Sequence, residues 1–168
     1  MPEQPPLIVV MGVSGSGKST IGALLAKRLG VPFTDADDLH PAANVAKMAA
    51  GIPLTDEDRW PWLALVGEAM AAASRTGLVM ACSALKRSYR EAILAEAPTA
   101  RFVYLHGSPE LLAARMGHRE GHFMPTSLLG SQLATLEPLQ PDEPGISVDV
   151  SDDPDSLVNA IGEALDRA

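Results

Sequence analysis

The segment from Gly12 to Ser19 has the residue types and the spacing that bind a polyphosphate. Its sequence, Gly-Val-Ser-Gly-Ser-Gly-Lys-Ser, satisfies the pattern G-x-x-x-x-G-K-S/T. The glycines let the main chain fold back so that several N–H groups converge on one anion, while Lys18 adds a positive charge and the Ser19 hydroxyl is placed to bind Mg²⁺. The pattern therefore predicts a phosphate-binding loop, or P-loop. The predicted nucleotide-binding residues of this loop are Gly12, Val13, Ser14, Gly15, Ser16, Gly17, Lys18, Ser19 and Thr20.

The sequence on either side of this loop favours the same interpretation. Residues 7–11 form a short apolar run that is typical of a buried strand, and Ile21, Leu24, Leu25 and Leu29 recur at helical spacing after the loop. A glycine-rich turn without a ligand is the alternative. The order of strand, loop and helix is the one that a P-loop requires, so we prefer the phosphate-binding interpretation.

The rest of the chain alternates between predicted strands and helices. The strands are predicted at about 7–11, 31–34, 78–81, 101–106 and 146–150. Strands alternating with helices indicate a three-layer α/β fold with a five-stranded parallel sheet. The acidic run from Asp35 to Asp38 follows the second strand, which places it at the carboxyl end of the sheet, where open α/β folds bind ligands. A capping sequence from Thr55 to Asp58 predicts a long helix that reaches about Arg75.

Composition limits the class of protein. The chain has 168 residues, 46% of them hydrophobic, and a net charge of −8, which indicates one globular domain and argues against general binding to nucleic acid or anionic membranes. No apolar run approaches the ~20 residues of a membrane span. The single cysteine, Cys82, excludes an intrachain disulfide. We therefore expect a cytoplasmic protein without a membrane or nucleic-acid partner.

The P-loop alone does not separate small-molecule kinases from GTPase switches and motor ATPases. The chain has no Asn-Lys-x-Asp motif for guanine, and its one Asp-x-x-Gly match, at residues 142–145, lies in a late Pro-rich connection. The position of the acidic run after the second strand is typical of small-molecule kinases. An Arg-containing, Gly-punctuated loop at about 115–122 fits a closing lid, which we place at about 115–135.

Several further segments resemble the gluconokinase family closely, in order and over nearly the whole chain. These are Asp-Leu-His-Pro at 38–41, Gly-Ile-Pro-Leu-Thr-Asp-Glu-Asp-Arg-Trp-Pro-Trp-Leu at 51–63, Cys-Ser-Ala-Leu-Lys-Arg-Ser-Tyr-Arg at 82–90 and Gly-His-Phe-Met at 121–124. One departure is Ala36, where the family pattern leads us to expect glycine. The resemblance implies a single P-loop kinase domain over residues 1–168, with a helical substrate-binding region at about 38–75.

The resemblance also implies transfer of a phosphoryl group from ATP, with Mg²⁺, to the 6-hydroxyl of D-gluconate. A kinase for another small hydroxy acid such as shikimate, and a non-catalytic nucleotide-binding protein, are the alternatives. Related kinases are often dimers, so a homodimer is expected. For this reaction Asp37 is predicted to accept or orient the hydroxyl proton, and Asp35 to contact Mg²⁺ through water beside Ser19. The alternative is that one of the two aspartates merely caps a turn.

The remaining candidate residues are assigned to the groups of a sugar acid and of the nucleotide. Arg59 and Arg90 are candidates for the carboxylate, because a guanidinium can bond both of its oxygens. In the lid, Arg119 is predicted to reach the transferring phosphate and Arg115 to lie on the adenine. The predicted hydroxyl contacts are His40, Lys47, Ser83 and His122, with Gln132 touching the substrate on closure. Three alternatives stay open: Arg59 paired with Asp56 at the surface, Lys86 and Arg87 as a solvated basic face, and Asn44 as a capping residue.

Overall fold

The computed structural model describes residues 5–13, 16–52, 54–117 and 127–166. Its strands are β1 (Leu7–Met11), β2 (Phe33–Asp35), β3 (Leu78–Ala81), β4 (Arg101–His106) and β5 (Gly145–Asp149). They form one parallel sheet in the order β2-β3-β1-β4-β5. The predicted five-stranded parallel sheet is therefore confirmed.

Helices flank this sheet. They are α1 (Lys18–Leu29), α2 (Ala42–Ala49), α3 (Asp56–Ala72), α4 (Arg87–Glu96), α5 (Pro109–Gly117), α6 (Ser127–Thr135) and α7 (Pro154–Asp166). Helix α1 packs against α7, and α3 packs against α4. No helix in the described ranges is long and apolar enough to cross a bilayer.

The three central strands are buried because their sequences are almost wholly apolar. Every residue of β1 and β3 is buried, and β1 pairs with β3 on one side and β4 on the other. Parallel strands that are covered on both faces need continuous apolar runs of this kind. The register sets Val10 beside Ala81 and Val103, so the loops that follow these strands leave the sheet at the same edge.

The second strand differs from its predicted position at 31–34. It covers Phe33–Asp35 and pairs only with β3, so it is a short edge strand. Its last residue is Asp35, which starts a single 3₁₀ turn at Ala36–Leu39 by accepting a hydrogen bond from the Asp37 N–H. The sheet thus carries the first of the two candidate aspartates within the strand itself.

Helix α3 begins where the capping sequence predicts. The Thr55 hydroxyl accepts a hydrogen bond from the Asp58 N–H, and the Asp58 carboxylate accepts one from the Thr55 N–H. This reciprocal pair satisfies two main-chain donors that a helix start otherwise leaves unpaired. The helix then continues through Pro61 to Ala72 and buries one face at Leu63, Val66 and Met70, as predicted.

Candidate active site

The loop after β1 has the backbone that close approach to an anion requires. Gly12 has φ of 152°, and a Cβ there would lie 2.8 Å from both the Leu105 carbonyl oxygen and Ser16 Oγ. Gly17 has φ of 88° and caps α1, a conformation that costs any other residue. The loop therefore delivers the N-terminus of α1, with its positive end, to the edge of the sheet. Ser14 and Gly15 lie outside the described residues.

Ser16 adds a second sign that this loop is built around a ligand. Its hydroxyl is buried and has no hydrogen-bond partner among the described residues. A buried polar group without a partner costs free energy, which a ligand oxygen or a water molecule would recover. The hydroxyl is one of several polar groups of the loop available to a bound anion.

A hydrogen bond joins the P-loop helix to the carboxyl end of β2. Ser19 Oγ donates to Asp35 Oδ2 at 2.7 Å, and the other oxygen of Asp35 accepts the Asp37 N–H at 2.9 Å. Lys18 Nζ donates to the Val13 carbonyl oxygen at 3.2 Å. The structure therefore brings the predicted phosphate-binding and acidic residues together.

The Ser19 hydroxyl and the Asp35 carboxylate fit a magnesium ion by their chemistry. Mg²⁺ prefers oxygen ligands, and it commonly takes one or two from the protein while keeping water and phosphate oxygens as the others. In the described part of the chain, no three His, Cys, Asp or Glu side chains are grouped to hold a metal by themselves. A magnesium ion here would take its other ligands from water and from the phosphates of a bound nucleotide.

His40 is enclosed next to the acidic run. Its ring stacks on Trp62, with centroids 4.1 Å apart, and its Nδ1 faces Asn44 Nδ2 at 3.2 Å. Its Nε2 lies 3.8 Å from Asp37 Oδ1. Burial, together with the positive charge of Arg59, lowers the pKa of His40 to about 4, and the negative charge of Asp35 opposes this shift. The imidazole is therefore neutral at physiological pH.

Lys47 is engaged with the cap of the neighbouring helix. Its Nζ donates to Asp58 Oδ2 at 2.7 Å. That hydrogen bond and the one from the Thr55 N–H lower the pKa of Asp58 to about 2. In this arrangement Lys47 links α2 to the start of α3, so a substrate hydroxyl would have to share its ammonium group with Asp58.

Arg59 belongs to a network that we call the Tyr89 cluster, made of Asp56, Arg59, Lys86 and Tyr89. Arg59 Nη1 donates to Tyr89 Oη at 2.7 Å, Tyr89 Oη donates to Asp56 Oδ1, and Lys86 Nζ donates to Asp56 at 3.2 Å. The surface pairing of Arg59 with Asp56 is therefore not observed, because Lys86 and Tyr89 occupy that carboxylate. Nor is Lys86 part of a purely solvated face.

Arg90 does not lie where a substrate carboxylate could reach it. Its side chain is 0% exposed and makes two hydrogen bonds to Glu143, Nε to Oε1 at 2.6 Å and Nη2 to Oε2 at 3.0 Å. Nη1 donates to the Ala84 carbonyl oxygen at 2.9 Å. The prediction of Arg90 as a carboxylate ligand is corrected on this ground: its fork is already filled by a carboxylate of the chain itself.

The remaining candidates are placed only in part. Ser83 follows β3 and is half-buried, next to Ala84, whose φ of 41° is unusual for a residue with a Cβ. Thr20 is exposed in the first turn of α1, and Gln132 lies in α6. Arg115 lies in α5, but its side chain is outside the described part of the structure, as are Arg119 and His122 entirely.

Three residues of this region were missed or left open by sequence reasoning. Asn44 contacts His40 and Tyr89 contacts Arg59. Glu143 accepts hydrogen bonds from Arg90. Glu143 gave no local signal, since its partner lies 53 positions away.

Burial raises the pKa of Cys82 to about 12, so this thiol at the end of β3 is not a nucleophile at neutral pH.

A P-loop on the central strand of a parallel α/β sheet, with carboxylates at a nearby strand end, defines the class of P-loop kinases. In agreement, the family model of shikimate kinase matches residues 14–134. The chain is 50% identical over 160 residues to the gluconokinase of Gluconobacter oxydans, covering 94% of this chain and 90% of that protein. It is 46% identical over 149 residues to the thermosensitive gluconokinase of Escherichia coli K12, covering 86% of this chain and 79% of that protein.

A solved structure agrees with these relatives. The crystal structure of a gluconokinase from Sinorhizobium meliloti has a TM-score of 0.90 and 52% identity to this chain, covering 97% of this chain and 93% of that one. The chain therefore belongs to the gluconokinase family, within the group of P-loop kinases that the shikimate kinase model describes.

Proposed function

We propose that the chain transfers the γ-phosphoryl group of ATP to the 6-hydroxyl of D-gluconate and releases ADP and 6-phospho-D-gluconate. The observation that carries this proposal is the Ser19 to Asp35 hydrogen bond of 2.7 Å. It holds the phosphate-binding loop beside the carboxylates that can receive an alcohol. Gluconate is the acceptor favoured by the names of relatives that are 46% and 50% identical to this chain.

Each side of the transfer has its own residues. The main-chain N–H groups of the P-loop and the Lys18 ammonium group bind the β- and γ-phosphates, where positive charge stabilises the transition state. Ser19 directly, and Asp35 through water, would hold Mg²⁺, which would neutralise phosphate charge when bound. Asp37, whose side chain is 46% exposed, accepts or orients the proton of the attacking hydroxyl.

The Tyr89 cluster provides a site for the substrate carboxylate. Two positive charges, on Arg59 and Lys86, face one negative charge on Asp56, so the cluster keeps one net positive charge. Among the described residues, Arg59 donates a hydrogen bond through Nη1 to Tyr89, and the rest of its fork is proposed to bind a carboxylate. The charge of Arg59 also lowers the pKa of His40, so the two side chains are close enough to interact electrostatically.

Further residues are proposed to act on the substrate and the nucleotide. His40, Lys47, Ser83, His122 and Gln132 are proposed to contact substrate hydroxyls. Arg119 and Arg115, in a lid at about 115–135, are proposed to reach the transferring phosphate and the adenine. The helical region at about 38–75 then forms the substrate side. A homodimer and a cytoplasmic location stay predictions, which analytical ultracentrifugation and cell fractionation test.

The test is an assay of ADP release with gluconate, shikimate, glycerate and common sugars as acceptors. Turnover on gluconate is expected to exceed turnover on the others, while preference for shikimate would assign a different acceptor and ATP binding without any turnover would contradict a kinase. Lys18→Ala should lower kcat/KM by about hundredfold or more, because it removes the positive charge that stabilises the phosphoryl group during transfer. Lys27→Ala, at the exposed end of the same helix, is the matched control and should leave turnover unchanged.

A further inference from the structure

The ring of His40 is held in a fixed plane next to Asp37. It stacks on Trp62 with an interplanar angle of 15°, and Trp62 is in turn anchored because its Nε1 donates to the Ala36 carbonyl oxygen at 2.8 Å. The His40 side chain is only 3% exposed. Because the plane is set by packing, the only open questions are which ring nitrogen faces Asp37 and which carries the proton.

The contacts of Asn44 determine the orientation of the ring and the position of its proton. Its Nδ2 donates to the Asp58 carbonyl oxygen at 2.9 Å, and since a carbonyl can only accept, this contact fixes which end of the amide carries the N–H groups. The same Nδ2 lies 3.2 Å from His40 Nδ1 and has a second hydrogen to give. His40 Nδ1 must therefore accept, and the proton of the neutral ring is on Nε2.

The protonated nitrogen faces the proposed proton acceptor. His40 Nε2 lies 3.8 Å from Asp37 Oδ1, which is longer than a hydrogen bond. The Asp37 side chain is 46% exposed, and contacts of catalytic groups commonly shorten when substrate binds.

We propose that His40 is a positioning residue for Asp37, with its Nε2–H donating to Oδ1 so that the second oxygen of the carboxylate faces the sugar hydroxyl. Trp62 sets the ring plane and Asn44 sets the tautomer. The inference rests on the proposed function, in which Asp37 receives the hydroxyl. This role replaces, for His40, the direct contact with a substrate hydroxyl proposed above, which would act on substrate affinity.

Two substitutions of similar size separate these roles. The amide nitrogen of Gln in His40→Gln reaches the position of Nε2, whereas that of Asn in His40→Asn reaches only the position of Nδ1, and both remove the stacked ring. His40→Gln is expected to keep kcat within about threefold of the unmodified chain, and His40→Asn to lower it about tenfold or more, as for loss of a hydrogen bond to a charged group. The KM for gluconate should change little in both.

The kinetic result has clear contrary outcomes. Equal kcat values for the two variants, at similar melting temperatures, would mean that the ring is only structural. A rise in the KM for gluconate with kcat unchanged would assign His40 to the substrate instead. Either outcome overturns the inference while leaving gluconate turnover by the unmodified chain, and thus the proposed function, intact.

A spectroscopic measurement tests the tautomer without any turnover. In the full chain labelled with ¹⁵N-histidine, the signals of His40 are identified among the four histidines by their loss in His40→Gln. At neutral pH the ¹⁵N shifts should show an unprotonated Nδ1 and a protonated Nε2. A proton on Nδ1, or on both nitrogens, would overturn the role given to Asn44. This result is independent of whether gluconate is the acceptor.

Discussion

Two side chains are proposed to contact the opposite ends of the substrate. Asp37, the second residue of the 3₁₀ turn, is proposed to receive the reacting hydroxyl, and Arg59, in the first turn of α3, is proposed to bind the carboxylate. They differ in what they contribute: a proton acceptor acts mainly in the transition state, whereas an ion pair with a remote carboxylate acts in the ground state as well. Kinetic constants of variants separate the two contributions.

For Asp37→Asn we expect kcat to fall by about hundredfold or more, because the variant loses a proton acceptor that acts during transfer. The KM for gluconate should rise by much less. Steady-state kinetics with both substrates varied measures this. Asp152→Asn, at an exposed position outside the proposed site, is the control and should behave as the unmodified chain does. An effect on KM alone would reassign Asp37 to substrate binding.

For Arg59→Lys we expect the KM for gluconate to rise about tenfold, since lysine keeps the charge but loses the planar fork that binds both carboxylate oxygens. The KM for ATP should not change. The matched control is Arg75→Lys, an exposed position beyond the end of α3. If the two variants have the same KM for gluconate, the carboxylate is bound elsewhere.

At the scale of elements, the buried pair of Arg90 and Glu143 ties α4 to the Pro-rich connection before β5. A second contact runs in parallel, since the Glu137 N–H donates to the Leu85 carbonyl oxygen at 2.7 Å. The end of the loop after β3 and the first turn of α4 are thereby held to the chain that follows α6. Breaking a buried ion pair on one side leaves an uncompensated charge, which is far more costly than losing an exposed pair.

Glu143→Gln is therefore expected to lower the free energy of unfolding by about 3 kcal/mol or more, measured by urea denaturation. Asp142→Asn removes the exposed partner of Arg87 at the adjacent position and should have little effect. Similar losses in the two variants would contradict the assignment of the buried pair as the stabilising one.

The buried pair of Arg90 and Glu143 predicts that stability depends on pH. Burial tends to raise the pKa of Glu143, but hydrogen bonds from Arg90 and the Gln140 N–H outweigh it, so the pKa lies below the ordinary value of 4.5. The stabilisation is therefore present above pH 4.5 and is lost as the pH falls through the lower folded-state value. The difference in stability between the unmodified chain and Glu143→Gln should shrink in acid.

The sequence predicts an element well when the interactions that form it involve residues close together in the chain. The strands at 78–81 and 101–106 were predicted at their observed positions, because central strands of a parallel sheet need continuous apolar residues. The second strand was displaced by about two residues, since it is short and pairs on one side only. Motif spacing predicts the P-loop, whereas the position of Asp35 is predicted from its place at the carboxyl end of the second strand. The burial of Arg90 was not predicted, because its partner is distant in the chain.

At the scale of the whole molecule, the single cysteine reports on the integrity of the core. Cys82 is buried at the end of β3, and burial raises the pKa of its thiol to about 12. We therefore expect iodoacetamide at neutral pH to label the folded chain only through unfolding, so that the labelled fraction follows the urea denaturation curve. Binding of nucleotide should slow labelling, since a ligand of the folded state stabilises it. Rapid labelling without denaturant would contradict this burial.

The two tryptophans, two positions apart, lie in different surroundings: Trp62 is stacked on His40, whereas Trp60 is 41% exposed and meets Tyr89 edge-on at 5.6 Å. The chain thus carries an intrinsic fluorophore at each end of the proposed acceptor site. Emission from Trp62 should respond to the hydroxyl end of a bound molecule, and emission from Trp60, which iodide can quench, to the carboxylate end. Replacing either tryptophan by phenylalanine would let a fluorescence titration determine in which direction a sugar acid lies in the site.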